Sequence, residues 1–448
     1  MRLPFDTHIF PTVKGVYVVG GSVRDLLSGR TPADYDLAVE DDPEIFARRL
    51  ASRLSTHVVK LGKPGQTVQR VITKNYFFDI LPVAGSGIQD DLSRRDFTVN
   101  AMALELSSQN LIDPLEGQRD LAAGKIRMVS RNAFLSDPLR LIRAFRLAAA
   151  FDWAIEAETT AAIVEDAHLI QRSAAERIRD EFVKILQQQR SWDCLGRMAE
   201  TGLLFVVFPE LQALKKCRAS STGSADRFAR SLGAYRYLEK LLNPQHPANV
   251  RQIYPDKGAE NSALLKMAVL FHDIAHPCGQ NRASLSRLAV QSAAQAGAIC
   301  RRLRFSRHQC DIVELLIRTH TRPFYMFRAR QNKIAAQKAL INIFLKCDHT
   351  TDDVLVTAMA VFSSQRKLAD FCRGLLQHYY DVLRPRAARP PVLTGKDLIS
   401  EFELKPSRLF ARLLRRVNQE CLLRESLSRQ QAVKLIGDLL KRQRKNRV

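Results

Sequence analysis

Val16-Tyr17-Val18-Val19-Gly20-Gly21-Ser22-Val23-Arg24-Asp25, followed by Asp34-Tyr35-Asp36, is the stretch whose reading decides the fold. An apolar run ends in two glycines, and a helix-like segment with an early arginine follows. Two carboxylates two residues apart then open a second apolar run, Leu37-Ala38-Val39. Side chains of a strand alternate between faces, so Asp34 and Asp36 aim at one point. Two convergent carboxylates make a hard oxygen site suited to Mg²⁺, a cation that commonly also takes phosphates. The glycines let the backbone approach a phosphate, and Arg24 can neutralise it.

The chain has 448 residues, which predicts roughly two to four domains. Sixty-nine Lys and Arg against 46 Asp and Glu give a net charge of +23, and the sequence pI is near 10.0. Such an excess implies a polyanionic partner, nucleic acid first and an anionic membrane surface second. Nothing at the N-terminus reads as a signal peptide. No apolar run reaches the roughly 18 residues of a membrane span. The eight cysteines, at 194, 217, 278, 300, 310, 347, 372 and 421, form no Cys-x-x-Cys pair. Their scatter predicts buried or idle thiols in a reducing, cytoplasmic setting and argues against a zinc ribbon or disulfide scaffold.

Along the chain, strand-like runs at 16–19, 37–39, 68–72 and 76–81 surround a helical segment at 43–54, with further short strands at 101–106 and 126–129. That pattern predicts an α/β head on a small mixed sheet over residues 1–130. Amphipathic stretches dominate afterwards, at 138–150, 157–170, 176–189 and 192–201, then at 262–272, 298–304, 310–319 and 333–344. The fold class is therefore α+β, a head followed by all-helical parts at 131–210, 211–383 and 384–448. The Pro/Arg-rich stretch 384–391 cannot be helical throughout. The basic end, 441–447, is either a solvated charge run or a phosphate clamp.

Three further stretches carry chemistry. Asp79 sits in the apolar run 76–81, where a carboxylate is costly unless its charge is used. It is either a third member of the Asp34/Asp36 site or a strand-end residue facing solvent. Arg94-Arg95-Asp96 could hold a triphosphate, although such triplets also make surface ion pairs. In Ser136-Asp137-Pro138-Leu139-Arg140, Pro138 predicts a helix start with Asp137 as its cap. Arg140, Arg143 and Arg146 then recur every three residues on one broad face. Asp137 and Arg140 can offer paired acceptors and donors to a base edge.

In order, spacing and identity these motifs, with Glu176-Arg177-Ile178-x₂-Glu181 and Phe208-Pro209-Glu210-Leu211, resemble the class II tRNA nucleotidyltransferase and bacterial poly(A) polymerase family. The resemblance runs from residue 13 to about 210. A weaker one links Leu270-Phe271-His272-Asp273-Ile274 to an HD domain, and 393–398 to the C-terminal segment of some members. It implies a polymerase-β-like head followed by helical neck, body and tail, and template-independent addition of nucleotides from CTP and ATP to an RNA 3′ end. Asp34 and Asp36 would hold two Mg²⁺ ions, with Asp79 as third carboxylate. Gly21 and Arg24 would bind the triphosphate, and Arg95 the nucleotide or its phosphates. Asp137 and Arg140 would read the incoming base, supported by Arg143 and Arg146.

The sequence departs from the family in three places. Ser136 precedes Asp137 where a Glu is frequent. Only residues 80–93 separate Asp79 from Arg94, so a loop that the family ties to the switch from C to A is short. That points to partial products: CC, A or a poly(A) tail. In the HD-like part, Arg230 is expected where the first histidine belongs and Ala360 near the expected distal aspartate. His276, His308 and His320 are the remaining candidates to replace them. A structural body that presents basic residues to tRNA is the expected outcome there.

Overall fold

The computed structural model describes residues 3, 5–32, 34–62, 67–217, 226–275, 284–329, 333–347 and 350–445. The chain divides into two compact units, Met1–Pro209 and Glu210–Val448.

The first unit is built on a seven-stranded sheet. Its strands are β1 (Val16–Val19), β2 (Asp34–Val39), β3 (Val58–Leu61), β4 (Val68–Ile72), β5 (Phe77–Pro82), β6 (Ala103–Glu105) and β7 (Leu111–Ile112), in the order β3-β4-β5-β2-β1-β6-β7. The β2–β5 pair is parallel, and the other pairs are antiparallel. Helices α1 (Gly21–Leu27), α2 (Pro43–Arg53) and α3 (Ile88–Ser93) accompany it.

Alternation along β2 sorts the two faces. Tyr35, Leu37 and Val39 pack with Phe10, Phe78 and Ile80 against Phe46, Ala47 and Leu50 of α2. Ala38 belongs to a smaller opposite cluster with Val19, Leu92 and Ala103. Asp34 and Asp36 share the parity of Ala38 and so are turned away from the aromatic core.

β3 is absent from the sequence reading. It pairs only with β4, and its residues are at best half-buried, so no alternating apolar signal marks it. The strand expected at 126–129 shrinks to Lys125–Ile126, paired in parallel with Ala154–Ile155.

The helix expected at 138–150 runs from Arg140 to Phe151, and a break at Asp137 separates it from a short helix before it. Asn132–Ser136 ends at Asp137, whose φ of −143° leaves the helical region. The chain then re-enters as α4 (Arg140–Phe151), and α5 (Ala175–Leu186) packs on it. The expected Asp137 cap does not form: the helix is entered at Leu139 without a side-chain cap bond, and Asp137 Oδ1 accepts from the Leu139 N–H at 3.3 Å in the turn before it.

The second unit is helical throughout its described residues. It includes α6 (Arg227–Leu242), α7 (Ala259–Phe271), α8 (Arg307–Thr319) and α9 (Thr351–Val361), which pack on one another. Its last part carries a core of its own, Leu393, Leu398, Leu413, Val417, Ala432 and Ile436. The helical turn Arg384–Ala387 takes up half of the Pro/Arg stretch before the chain extends. No described helix is long and apolar enough to cross a membrane. Cys194, Cys300, Cys310, Cys347, Cys372 and Cys421 are free thiols. Cys217 is disulfide-bonded, so the expectation of idle thiols fails there, at a pairing that chain position alone does not reveal. Cys278, His276 and the last residues of the basic end lie outside the described residues.

Candidate active site

Register brings the carboxylates together. Asp36 of β2 lies opposite Asp79 of β5 in the parallel pair, and Asp34 opposite Phe77. Asp34 is exposed, while Asp36 and Asp79 are half-buried. Burial pushes the Asp36 carboxyl up to about 6; Arg95 opposes the rise and the charges of Asp34 and Asp79 add to it.

The two glycines form the wall beside it. Gly20 has φ +72°, a left-handed backbone, and a Cβ there would sit 2.9 Å from Arg95 Nη1 and 3.3 Å from Asp36 Oδ2. Ser22 stitches the turn to β2: its hydroxyl donates to the Asp34 carbonyl at 3.1 Å and accepts from the Asp36 N–H at 3.2 Å. Sequence reasoning gave Ser22 no task, since a serine after two glycines carries no directional signal.

Arg24 is not a free cation. It donates to Asn100 Oδ1 at 2.6 Å and Asp25 Oδ1 at 2.9 Å, and its guanidinium lies 4.6 Å from the Phe151 ring centre. Its place is under Gly21, whose Cβ position is 3.3 Å from Arg24 Nη2. Arg95 donates to Asp91 Oδ2 through Nε (3.0 Å) and Nη2 (2.7 Å), which leaves Nη1 facing Gly20 and Asp36. Arg94 pairs with Asp90 on the surface.

The three arginines of α4 each find a different acceptor. Arg140 Nη1 donates to the Arg95 and Ala133 carbonyls, both at 3.3 Å. Arg143 forms an ion pair with Asp96 at 2.9 Å, and Arg146 one with Glu181 at 2.6 Å. Burial raises the Asp96 carboxyl, but Arg143, Asn100 and the Phe97 N–H outweigh it and hold it below its ordinary value. Asp137 is gripped by Arg177 of α5 through Nη2 at 2.8 Å and Nη1 at 3.3 Å. Arg140 and Arg143 thus tie α4 to the turn after α3 that carries Arg95 and Asp96.

Asp79 joins the cluster but is already engaged. Arg70 of β4 donates to both of its oxygens. Among the described residues no three His, Cys, Asp or Glu side chains converge closely enough to hold a metal ion. The donor set still fits a hard divalent cation. Asp34 and Asp36 share one strand face, and no hydrogen bond to the raised Asp36 carboxyl exists among the described residues.

Between β5 and α3 the chain is short and pinned. Val83 N–H donates to Val39 O at 2.9 Å, Ala84 N–H to Asp91 Oδ1 at 3.1 Å, and Ser86 N–H to Asp90 Oδ2 at 3.1 Å. A Cβ at Gly85 would lie 1.9 Å from Asp90 Oδ2.

In the second unit the HD-like pair is closed by a cation. Arg227, not Arg230, reaches Asp273, at 3.0 Å, while Arg230 one turn later is exposed. The pattern reading therefore chose the wrong turn of α6, because positions three apart share a helical face. His272 and His320 stand 5.6 Å apart, centre to centre. Their Nδ1 atoms lie 2.8 Å from Val269 O and 2.6 Å from Ile317 O. Burial pulls His320 down to about 3, so its ring is neutral at pH 7. Ala360 is fully buried and His308 is exposed. The acidic pair at the start of α9 is also taken: Lys257 Nζ lies 2.6 Å from Asp352 and 3.0 Å from Asp353.

The pattern of the poly(A) polymerase head domain matches residues 16–85 and 79–127. That of a probable RNA- and SrmB-binding site of polymerase A matches 152–215. A CC-adding tRNA nucleotidyltransferase of Synechocystis sp. is 28% identical over 419 residues, 93% of this chain and 91% of the relative. A CC-adding enzyme of Geobacter sulfurreducens is 34% identical over 268 residues, 59% of this chain and 61% of the relative. An A-adding enzyme of Deinococcus radiodurans is 33% identical over 272 residues, 60% and 58% of the two chains. Among solved structures, the Thermotoga maritima CCA-adding enzyme complexed with tRNA shares the fold, with a TM-score of 0.66 at 21% identity over 95% of this chain and 91% of that one. Motif order, the head-domain pattern and the shared fold liken the chain to the tRNA nucleotidyltransferases and the poly(A) polymerase head.

Proposed function

We propose that this chain adds C and/or A to the 3′ end of tRNA, without a nucleic-acid template, from CTP and ATP. The observation that carries the reading is the meeting of two groups at one corner. Asp36 of the carboxylate pair faces Gly20 and Arg95, and Arg140, one of the two base-reading candidates, donates to the Arg95 carbonyl.

Asp34 and Asp36 would hold Mg²⁺, which supplies activation of the 3′-hydroxyl and neutralisation of the triphosphate when bound. Asp79 would add a third carboxylate charge. Gly20 gives its own N–H to the Met102 carbonyl, so the backbone N–H at Gly21 would meet the triphosphate, and Arg24 supports that turn from beneath. Arg95 presents Nη1 to the same space. Asp137 and Arg140 offer an acceptor and donors to the base edge, with Arg143 and Arg146 fixing the helix that bears them. In this reading residues 1–130 carry the chemistry and 131–210 read the nucleotide. Residues 211–383 serve as a structural body and 384–448 as a basic tail for tRNA. The work takes place in the cytoplasm, where tRNA ends are processed. The Arg227–Asp273 ion pair speaks against hydrolase chemistry at the HD-like pair.

The pinned linker between β5 and α3 and the CC-adding and A-adding relatives favour a partial product. The head-domain match favours poly(A) addition as the second reading. Incubation with Mg²⁺ and tRNAs ending before CCA, after the first C and after CC, with CTP and ATP alone and together, separates CCA, CC, A and long A tails on a gel. Extension lost in Asp34→Ala/Asp36→Ala is the expected control. Failure of the wild-type chain to extend any of these tRNAs overturns the reading.

A further inference from the structure

Arg70 and Asp79 face each other in the antiparallel β4–β5 register, and Asp79 faces Asp36 in the parallel β2–β5 register. One row across three strands therefore runs Arg70, Asp79, Asp36. Arg70 Nε is 2.7 Å from Asp79 Oδ1, and Nη2 is 2.6 Å from Oδ2, so the guanidinium fork spans both oxygens. The fork is also fixed from its face, because Cζ lies 4.0 Å from the centre of the Phe77 ring. Phe77 and Asp79 are two apart on one strand and share a face, so one strand supplies both the partner and the platform. Without a cation, three carboxylates would crowd a patch about one strand spacing wide, ~4.8 Å, and about two residues long, ~6.6 Å. Arg95 faces Asp36, solvent reaches Asp34, and Arg70 covers Asp79.

We propose that Arg70 is a built-in counter-cation that competes with the divalent metal for Asp79, so that the third carboxylate joins the site only when the Arg70 fork lets go. This rests on the reading of Asp34, Asp36 and Asp79 as a divalent-cation site, and it makes Arg70 a positioning residue acting through Asp79. It explains why three carboxylates in adjoining positions form no ready-made ligand group among the described residues.

The test is Mn²⁺ binding to the full chain without nucleotide or RNA, followed by electron paramagnetic resonance and calorimetry. Arg70→Gln removes the competitor and is expected to tighten Mn²⁺ about fivefold or more. Asp79→Asn alone is expected to change the affinity less than about twofold, because the carboxylate is withheld. In the Arg70→Gln background the same change abolishes the gain. Arg70→Lys, which keeps the charge but not the fork, falls between wild type and Arg70→Gln, and it decides the matter if the Gln variant does not fold. Unchanged or weaker Mn²⁺ binding in Arg70→Gln, or an equal effect of Asp79→Asn in both backgrounds, overturns the proposal. A purely structural Arg70 would lower the unfolding temperature and leave Mn²⁺ affinity alone. A chain that shows the expected Mn²⁺ pattern but extends no tRNA overturns the proposed function and not this inference.

Discussion

Asp137 and Arg177 lie 40 residues apart in sequence and meet through two hydrogen bonds, 2.8 and 3.3 Å long. The first sits at the break before α4 and the second in the first turn of α5, so the bond sets where the Asp137 carboxylate points. Arg177→Ala is expected to lower the ratio of kcat/KM for the preferred nucleotide over the other by about tenfold or more, since a misplaced reading group costs transition-state contacts. Arg177→Lys should restore part of it. Steady-state incorporation of CTP and ATP into a truncated tRNA provides the measurement, and an unchanged ratio would remove Arg177 from the reading pair's support.

The raised Asp36 carboxyl predicts opposite pH trends for stability and metal binding. The folded group keeps its proton up to about pH 6, whereas an ordinary aspartate loses it near ~3.9. Between those values the folded chain binds more protons, so this group's contribution to metal-free stability falls as pH rises through the window. Metal binding needs the ionised form and strengthens as pH rises through about 6. Unfolding temperatures measured in chelator and in Mg²⁺ between pH 4 and 8 should diverge above about 6. Parallel curves would refute the assignment.

The aromatic centre of the head sets its stability. Phe78 is fully buried and lies 5.2 to 6.0 Å, ring to ring, from Phe5, Phe10, Tyr35 and Tyr76. Phe78→Ala is expected to cost about 3–5 kcal/mol. Because Asp79 follows it, the variant should also lose nucleotide transfer. Chemical denaturation checks the first effect, and activity at a temperature where the variant remains folded checks the second.

Arg227 and Asp273 are each more than three-quarters buried, at 15% and 24% side-chain exposure. Asp273→Ala strands the arginine and should cost about 1–3 kcal/mol. It should leave tRNA extension within about twofold once the chain is folded, because the site of transfer lies in the other unit. Metal-dependent phosphatase activity in the wild type, abolished by His272→Ala, would contradict this account of the pair.

Much of this was legible because it is local. Alternation along 34–39 fixed the shared face of Asp34 and Asp36, and a three-residue spacing fixed the shared face of Arg140, Arg143 and Arg146. What each arginine touches was not legible. Arg70 reads as the outward residue of a half-buried strand, and only the pairing of β4 with β5 sets it on Asp79. Arg24 reads as an open phosphate ligand, yet Asn100, 76 positions away, occupies it. Arg227 and Arg230 are equivalent by helical periodicity, and tertiary packing alone selects the first. Partners of long charged side chains depend on register between distant segments, which residue spacing does not encode.

The segment joining β5 to α3 has a consequence for what leaves the enzyme. Three of its five residues give their backbone N–H groups to acceptors in the head, and a methyl group at Gly85 would have to displace the Asp90 carboxylate. A strap held in this way, on the proposed reading, would not re-aim the reading pair after a nucleotide has been added. On the proposed reading, a tRNA departs with a terminus that this chain alone does not complete. Maturation then becomes a relay, in which a second catalyst with a different fixed preference acts before or after this one.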